Sequence, residues 1–555
     1  MPLTDGLPEI LLKLLEARGL SGADLERYLS PSLADLRAPE DLPGIAAAAD
    51  VILGVATARK KIVVFGDYDC DGVCATAILV KTLSAIAPAA PLAAFLPERL
   101  SEGYGMSDAS VTRLLTEHPD VALVVTVDNG INSVAQIAAL KARGIRVVVT
   151  DHHLPGEELP AADALVNPKV AAPAHFACLC GAGVAFLLAN RLVAEAKARG
   201  LYDGPCVGGP LLVLAGLATV TDIMPLLGQN RILVSEALKR FRSWAPVGLC
   251  ELYARAARNG ADRMTSRDFG FLLGPRINAA GRLASGMDAL ELILETNRER
   301  VREYAMRIDH CNTERKSIEQ RMTDEALAKV VPGAAAQVID LPEGHPGVAG
   351  IVAARVLESL GEMVPVGVLA GGDGSARAPG GFNLREAFVA CDAFLTTYGG
   401  HAAAGGFATK PGMVDAFRDA LCAYAAARRE EGAPPPPEAD TPELWIETQD
   451  ISLGLAEAIE RLEPFGEANA EPVFGIHNVC FTDMKPMGAD GKHLSVTIAS
   501  SSRASRGGLR AVWWGHGDLV DSLRAAGSVP HDIVFSLIVS DYGERHAELR
   551  LRHIG

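Results

Sequence analysis

No run of about 18 uncharged apolar residues occurs along the chain, so the sequence offers no membrane-spanning helix. The opening stretch, MPLTDGLPEILLKLLEARGL, lacks the basic start and unbroken apolar segment of a secretory signal. Paired cysteines are missing as well. Ten cysteines are scattered over 555 residues, only Cys178 and Cys180 are close, and there is no Cys-x-x-Cys. That usage argues against a zinc–thiolate site and fits reduced thiols in a cytoplasmic protein. Basic residues are in deficit, 52 Lys and Arg against 68 Asp and Glu, for a net charge of −16. A generally basic, sticky protein is excluded, but a basic face for nucleic acid is not. Part of the acid excess can be carboxylates whose charge a cation offsets. With 49% hydrophobic and 22% charged residues the chain is not disordered, and its length suggests about three to five domains.

What is present is alternation. Short helices and turns fill residues 1–45. From 46 to 287, β-branched runs (Ile62–Phe65, Ala122–Val127, Val147–Thr150) alternate with helical stretches such as Val73–Ala87 and Ser133–Arg143. Strand and helix in alternation predict an α/β domain with a doubly wound parallel sheet. Residues 288–336 carry Val301, Tyr304, Ala305, Ile308, Ile318 and Met322 at helical spacing among dense charges, a long connecting helix. A smaller, glycine-rich α/β domain is expected over 337–431. The Pro434–Pro437 run marks a linker over 432–449. A helix and a small β-barrel are expected over 450–555, where apolar and polar residues alternate.

The informative residues follow the runs. Ile62–Phe65 leads into Gly66-Asp67-Tyr68-Asp69-Cys70-Asp71-Gly72, Ala122–Val127 into Asp128-Asn129-Gly130, and Val147–Thr150 into Asp151-His152-His153. A further apolar run, Leu211–Val220, leads into Thr221-Asp222-Ile223-Met224-Pro225-Leu226 and is read as another strand. In a parallel sheet the C-terminal strand ends share one edge, where ligands bind. Asp67, Asp69, Asp71, Asp128, Asp151, His152, His153 and Asp222 are therefore expected in one crevice. So many carboxylates need countercharge. Carboxylates mixed with imidazole fit Mn²⁺ or Mg²⁺, and two such ions suit phosphoryl transfer.

These four segments, in this order, resemble the motifs of the DHH phosphoesterase superfamily. Gly274–Arg282, His345–Ala353 and Gly399–Gly406 resemble its companion DHHA1 half, and Pro464–Pro472 precedes what resembles an OB-type barrel. The combination is similar to the bacterial RecJ family of single-strand-specific DNA exonucleases. The resemblance implies Asp69 and Asp128 on one metal, and Asp71, Asp128, His152 and Asp222 on the other. It gives Asp128 and His153 catalytic parts, His153 as charge stabiliser or proton donor at the scissile phosphate. Asp67 is either a ligand through water or an anchor of its loop, and Asp151 orients its own loop.

It also implies nucleic-acid contacts from Arg99 and Tyr104. Arg276, Asn278 and Arg282 sit among small residues that let a phosphate approach. Gly399-Gly400-His401 offers backbone NH groups to an anion, with Ser375 and Arg377 facing the same cleft. In the barrel, Arg503, Arg506 and Arg510, followed by Trp513 and Trp514, suit a single strand. The implied activity is metal-dependent 5′→3′ hydrolysis of single-stranded DNA to mononucleotides, by a cytoplasmic monomer whose partner class is a helicase or single-strand-binding protein. The alternatives are a DHH phosphodiesterase of short oligoribonucleotides or cyclic dinucleotides, and a non-catalytic DNA-binding scaffold.

Overall fold

The computed structural model of the chain describes residues 6–555 except 104, 206–207, 258–262, 362, 431–440, 489, 501–507, 528 and 542–543. The Pro434–Pro437 run lies outside the described residues. Strands β1 (Lys61–Phe65), β2 (Leu92–Phe95), β3 (Val121–Val127), β4 (Arg146–Thr150) and β5 (Ala164–Val166) form a parallel sheet in the order β2-β1-β3-β4-β5. Alternate strand residues enter two cores. Ile62, Val64, Val125 and Val127 pack with helices Ile45–Thr57, Cys70–Ile86, Gly181–Ala198 and Gly208–Thr221. Val63, Phe65, Val124 and Val149 pack with helices Asp108–Glu117 and Val134–Ala142 on the other face. Burial of both faces is why these strands are almost wholly apolar. The chain runs from β1 outward to β2, then returns to place β3 on the far side of β1. That reversal opens a crevice at the C-terminal ends of β1 and β3.

One strand expectation fails. Leu211–Val220 lies within helix Gly208–Thr221, and the last strand of the sheet is the three-residue β5. The helix is buried almost all round, from Leu211 to Thr219, so it shows no polar face and its periodicity is silent. Its length, 14 residues, is the feature that separates it from a strand.

The 31-residue helix Arg298–Ala328 buries Val301, Ala305, Ile308 and Met322 and leads into a second sheet. Its strands are β6 (Gln337–Leu341), β7 (Val366–Ala370), β8 (Asp373–Arg377), β9 (Leu395–Gly400) and β10 (Ala404–Thr409), ordered β6-β7-β8-β10-β9. The short β11 (Leu444–Trp445) joins a third sheet to which β12 (Phe474–Met487), β13 (His493–Ser500), β14 (Leu509–Trp513), β15 (His531–Ser540) and β16 (His546–Ile554) belong. Pairing of β15 back onto β12 closes β12-β13-β14-β16-β15 into a barrel. Helices Glu9–Ala17 and Gly22–Leu29 pack Leu11, Leu14, Leu15 and Tyr28 into the barrel core, and Arg18 forks onto Glu443 at 2.7 Å and 2.7 Å. No helix among the described residues is long and apolar enough to cross a membrane.

Candidate metal centre and cleft

Each strand end delivers its acids in a fixed way. After β1, Asp69 Oδ1 accepts from the amides of Asp71 and Gly72 at 3.0 Å each and caps helix Cys70–Ile86. Asp71, within the first turn of that helix, accepts from the amides of Gly181 and Ala182 at 2.7 Å each, the positive end of helix Gly181–Ala198. Gly72 is required there, since a Cβ would lie 2.5 Å from the Asp67 nitrogen. After β3, Asp128 takes a left-handed φ of 61° and its amide donates to Thr150 O at 3.1 Å. After β4, Asp151 Oδ1 accepts from the His152 and His153 amides at 2.7 and 3.1 Å and lies 2.8 Å from His153 Nδ1. Asp151 Oδ2 accepts from Ile131 N at 2.9 Å, so this carboxylate orients the loop and fixes the His153 ring. Asp222 arrives from the C-terminal end of helix Gly208–Thr221 rather than from a strand, yet it reaches the same crevice.

Asp67, Asp69 and Asp128 form one group and Asp71, His152 and Asp222 another, with potential ligand atoms within 4.8 Å of one another in each. His152 Nε2 lies 3.1 Å from Asp128 Oδ1, 3.6 Å from Asp71 Oδ2 and 3.6 Å from Asp222 Oδ2, so Asp128 sits between the groups. Both oxygens of Asp67, both ring nitrogens of His152 and Asp222 Oδ2 are buried without a hydrogen-bond partner. The Tyr68 and Gly105 amides face Asp67 without meeting hydrogen-bond geometry. Buried polar atoms are rarely left this way. Oxygen and imidazole donors converging without a thiolate fit hard divalent cations such as Mn²⁺ or Mg²⁺.

The electrostatics agree. Burial, then Asp71 and Asp69, push Asp222 up to about 9. Burial also raises Asp67 and Asp128, with Asp69 adding to the first and Asp71 to the second. Burial lowers His152 to about 4, so its imidazole is neutral and free to donate a lone pair at neutral pH. For His153 burial opposes the charge, but the Asp151 hydrogen bond and the nearby acids outweigh it and raise its pKa.

A cationic wall stands beside the acids. Arg99 lies over the Tyr68 ring, 5.3 Å from its centroid. Arg282 donates to Gly347 O at 3.0 Å, and burial, then Arg99, bring it down to about 10. Arg377 is lowered by burial and then by Arg99, so the three guanidiniums share one field. Ser375 and Arg377 alternate onto one face of β8, against Gly350, where a Cβ would lie 3.0 Å from Arg377 Nη2.

Other expected contacts are placed differently. Arg276 is buried, donating to Asp309 at 2.8 Å and to Leu272 O at 2.8 Å, so its guanidinium ties two helices together rather than standing open to a phosphate. Asn278 Oδ1 accepts from Cys70 N at 2.7 Å and braces the first acidic loop. Gly400 ends β9, and the His401 amide is spent on Ala404 O at 2.8 Å in a tight hairpin, so that NH is not open to an anion. Burial, then the charges of His153 and Lys169, depress the His401 imidazole. Arg510 lies on β14 and pairs with Glu548 at 3.2 Å. Trp513 stacks on His516 at 4.1 Å, while Trp514 is exposed. Tyr104, Arg503 and Arg506 lie outside the described residues. Sequence reasoning missed the Gly181 and Ala182 amides, Asn167 and Lys169, and the three-residue β5 gave no signal for the last two.

Fold and site together define a phosphoesterase of the DHH class, and residues 61–204 match the model of the DHH family, N-terminal domain. Residues 443–553 match the RecJ OB domain. A Dickeya dadantii protein named single-stranded-DNA-specific exonuclease RecJ is 36% identical over 504 residues, 85% of this chain and 84% of that one. The Bacillus subtilis protein of that name is 31% identical over 549 residues, 97% of this chain, which spans 66% of that relative's length. The crystal structure of RecJ in complex with Mn²⁺ from Thermus thermophilus matches with a TM-score of 0.80 and 30% identity, covering 99% of this chain and 78% of that one. The chain belongs to the RecJ family.

Proposed function

We propose that this chain hydrolyses single-stranded DNA from the 5′ end to mononucleotides, with two Mn²⁺ or Mg²⁺ ions, in DNA repair and recombination. The observation that carries the reading is the buried set of donor atoms lacking hydrogen-bond partners, on Asp67, His152 and Asp222, beside the Arg99–Arg282–Arg377 wall. Asp67, Asp69 and Asp128 would hold one ion; Asp71, Asp128, His152 and Asp222 would hold the other. Ions held there would supply an activated water and charge neutralisation at phosphorus.

The chain's own groups do the rest. Arg99, Arg282, Arg377 and Ser375 grip a terminal phosphate and set the next phosphodiester on the acids. His153, with Nδ1 held by Asp151, presents Nε2 to the phosphate as charge stabiliser or as proton donor to the leaving oxygen. Water adds at phosphorus, the bond to the 3′ oxygen breaks, and that oxygen leaves with a proton. The shortened strand thus keeps a 5′-phosphate, which is what the arginine wall needs for the next cycle. The barrel, with Arg503, Arg506, Arg510 and the exposed Trp514, would hold the single strand beyond the site. We place the protein in the cytoplasm as a monomer, supplied with substrate by a helicase or single-strand-binding protein. A barrel of this size favours a polymer over a dinucleotide, and the complete acid set favours a catalyst over a scaffold.

End-labelled single-stranded DNA and RNA, incubated with Mn²⁺, Mg²⁺ or EDTA and sized, test this. Mononucleotides released from the 5′ end of DNA, and none in EDTA, are expected. Release from the 3′ end refutes the polarity, and turnover in EDTA refutes the metal site.

A further inference from the structure

One strand end in the crevice has no part in the acid cluster. β5 ends in Val166 and runs directly into Asn167-Pro168-Lys169. It is parallel to β4, so this tripeptide emerges on the same edge as the Asp151-His152-His153 loop. Asn167 is buried and ties the two loops together. Its Nδ2 donates to His153 O at 2.9 Å, and its Oδ1 accepts from the Lys169 amide at 2.7 Å. Lys169 is thereby held one hydrogen-bonded residue away from the His153 backbone, while its side chain is exposed.

The order of the strands places this lysine in the crevice. The C-terminal edge of the sheet runs β2-β1-β3-β4-β5, so Arg99, which follows β2, and Lys169, which follows β5, lie on opposite sides of the acids delivered by β1, β3 and β4. The acid cluster therefore has a cationic pole at each end, guanidinium on the β2 side and ammonium on the β5 side. Among the described residues Lys169 has no ion-pair partner, whereas Lys61, Lys141, Lys239 and Lys329 each have one.

A nucleic-acid strand laid along that axis presents three phosphates in series. The terminal one meets the arginines, the scissile one meets the acids, and the third, on the 3′ side, meets the opposite pole. Resting on the exonuclease reading above, we infer that Lys169 binds the phosphate immediately 3′ of the scissile one and so positions the strand that is kept. A point charge on a flexible stem suits this place, because the strand must slide by one nucleotide after each cut. The competing role is a plain countercharge for Asp222, and the two differ in what they demand of the substrate.

The test uses 5′-phosphorylated di- and trithymidylate. The dinucleotide has only a terminal and a scissile phosphate; the trinucleotide adds the third. Lys169→Gln is expected to lose about tenfold in kcat/KM on the trinucleotide, chiefly through KM, and to match wild type on the dinucleotide. Lys169→Arg should recover most of the loss. A methylphosphonate at the third position should cost wild type the same factor and cost Lys169→Gln nothing further. Equilibrium binding of a labelled single strand in EDTA gives a readout without turnover: the slope of log Kd against log salt should fall by about 0.7 in Lys169→Gln. Equal loss on both substrates, an additive methylphosphonate penalty or an unchanged salt slope overturns the inference. Wild-type enzyme that leaves both substrates intact overturns the exonuclease reading, and this inference with it.

Discussion

Gly181 offers a sharp test of how the acids are held. It opens helix Gly181–Ala198, its amide donates to Asp71, and a Cβ added to it would lie 2.5 Å from Asp128 Cβ, 2.7 Å from Oδ1 and 2.8 Å from Cγ. Carbon atoms rest at about 3.5–4.0 Å, so Gly181→Ala forces a withdrawal of about 1 Å. Rotation of Asp128 does not relieve it, because the closest atom is a Cβ fixed by the backbone. Either the β3 end retreats and takes Asp128 with it, or the helix start retreats and pulls its amides from Asp71. Both routes displace a carboxylate of the cluster.

Misplacement of about 1 Å in a reacting constellation costs about 100-fold in rate. The strain costs about 1–3 kcal/mol, partly offset by up to about 1 kcal/mol from replacing a helical glycine. At about 2–4 °C per kcal/mol for a domain of this size, the melting point should drop by only a few degrees. Steady-state kinetics on a 5′-labelled single strand with saturating Mn²⁺, beside a thermal melt, read both quantities. Gly54→Ala is the control, also inside a helix but with nothing within 4 Å of its added Cβ; it should leave kcat unchanged and raise the melting point by a few degrees at most. A Gly181→Ala protein with wild-type kcat would refute the reasoning.

Two further outcomes are expected. Burial and the neighbouring Asp71 and Asp69 raise Asp222 to about 9 when no ion is bound, whereas an unfolded carboxyl titrates near about 4. Between those values the folded chain holds a proton the unfolded chain lacks, so stability in EDTA should fall as pH rises from about 4 toward about 9. Asp222→Asn should flatten that slope in melts run between pH 5 and 8, and an unaltered slope contradicts the assignment. Arg231 is buried over the Tyr28 ring at 3.7 Å and donates to Tyr28 O, Leu462 O and Glu463 O at 2.8, 3.0 and 3.0 Å, joining the first helices and the barrel to the parallel-sheet domain. Arg231→Met leaves three carbonyls to find water, a loss of about 3 kcal/mol, and should split off a low-temperature transition in calorimetry. A single unshifted transition would count against it.

The parts of the site legible in the sequence are those carried by strands with a strong signature. Ile62–Phe65, Ala122–Val127 and Val147–Thr150 are β-branched, apolar on both faces and followed at once by acids, and each is a strand at the crevice. β5 has three residues, too few to show any period, so the strand end bearing Asn167 and Lys169 leaves no mark in the sequence pattern. Helix Gly208–Thr221 misleads for the opposite reason: total burial erases its polar face and makes it look like a strand. The Arg276 side chain has the right chemistry for phosphate, but its partner Asp309 is 33 residues away, and nothing local announces that pairing. Backbone donors such as Gly181 and Ala182 carry no side-chain signature at all.

The two acids that flank His152 are held by opposite ends of helices, and this difference bears on how the site is assembled. Asp71 faces the amide end of Gly181–Ala198, where a negative charge is welcome and both of its oxygens are already hydrogen-bonded. The fold therefore fixes Asp71 without help, leaving its remaining lone pairs aimed at the crevice. Asp222 follows the carbonyl end of Gly208–Thr221, where the helix adds to the repulsion from Asp71 and Asp69. Its Oδ2 is buried with no donor to satisfy it. A cation is the group that removes both penalties at once, so Asp222 gains most from metal binding and Asp71 least. The crevice thus combines a rigid ligand set by the protein with one whose charge is sustained by the ion.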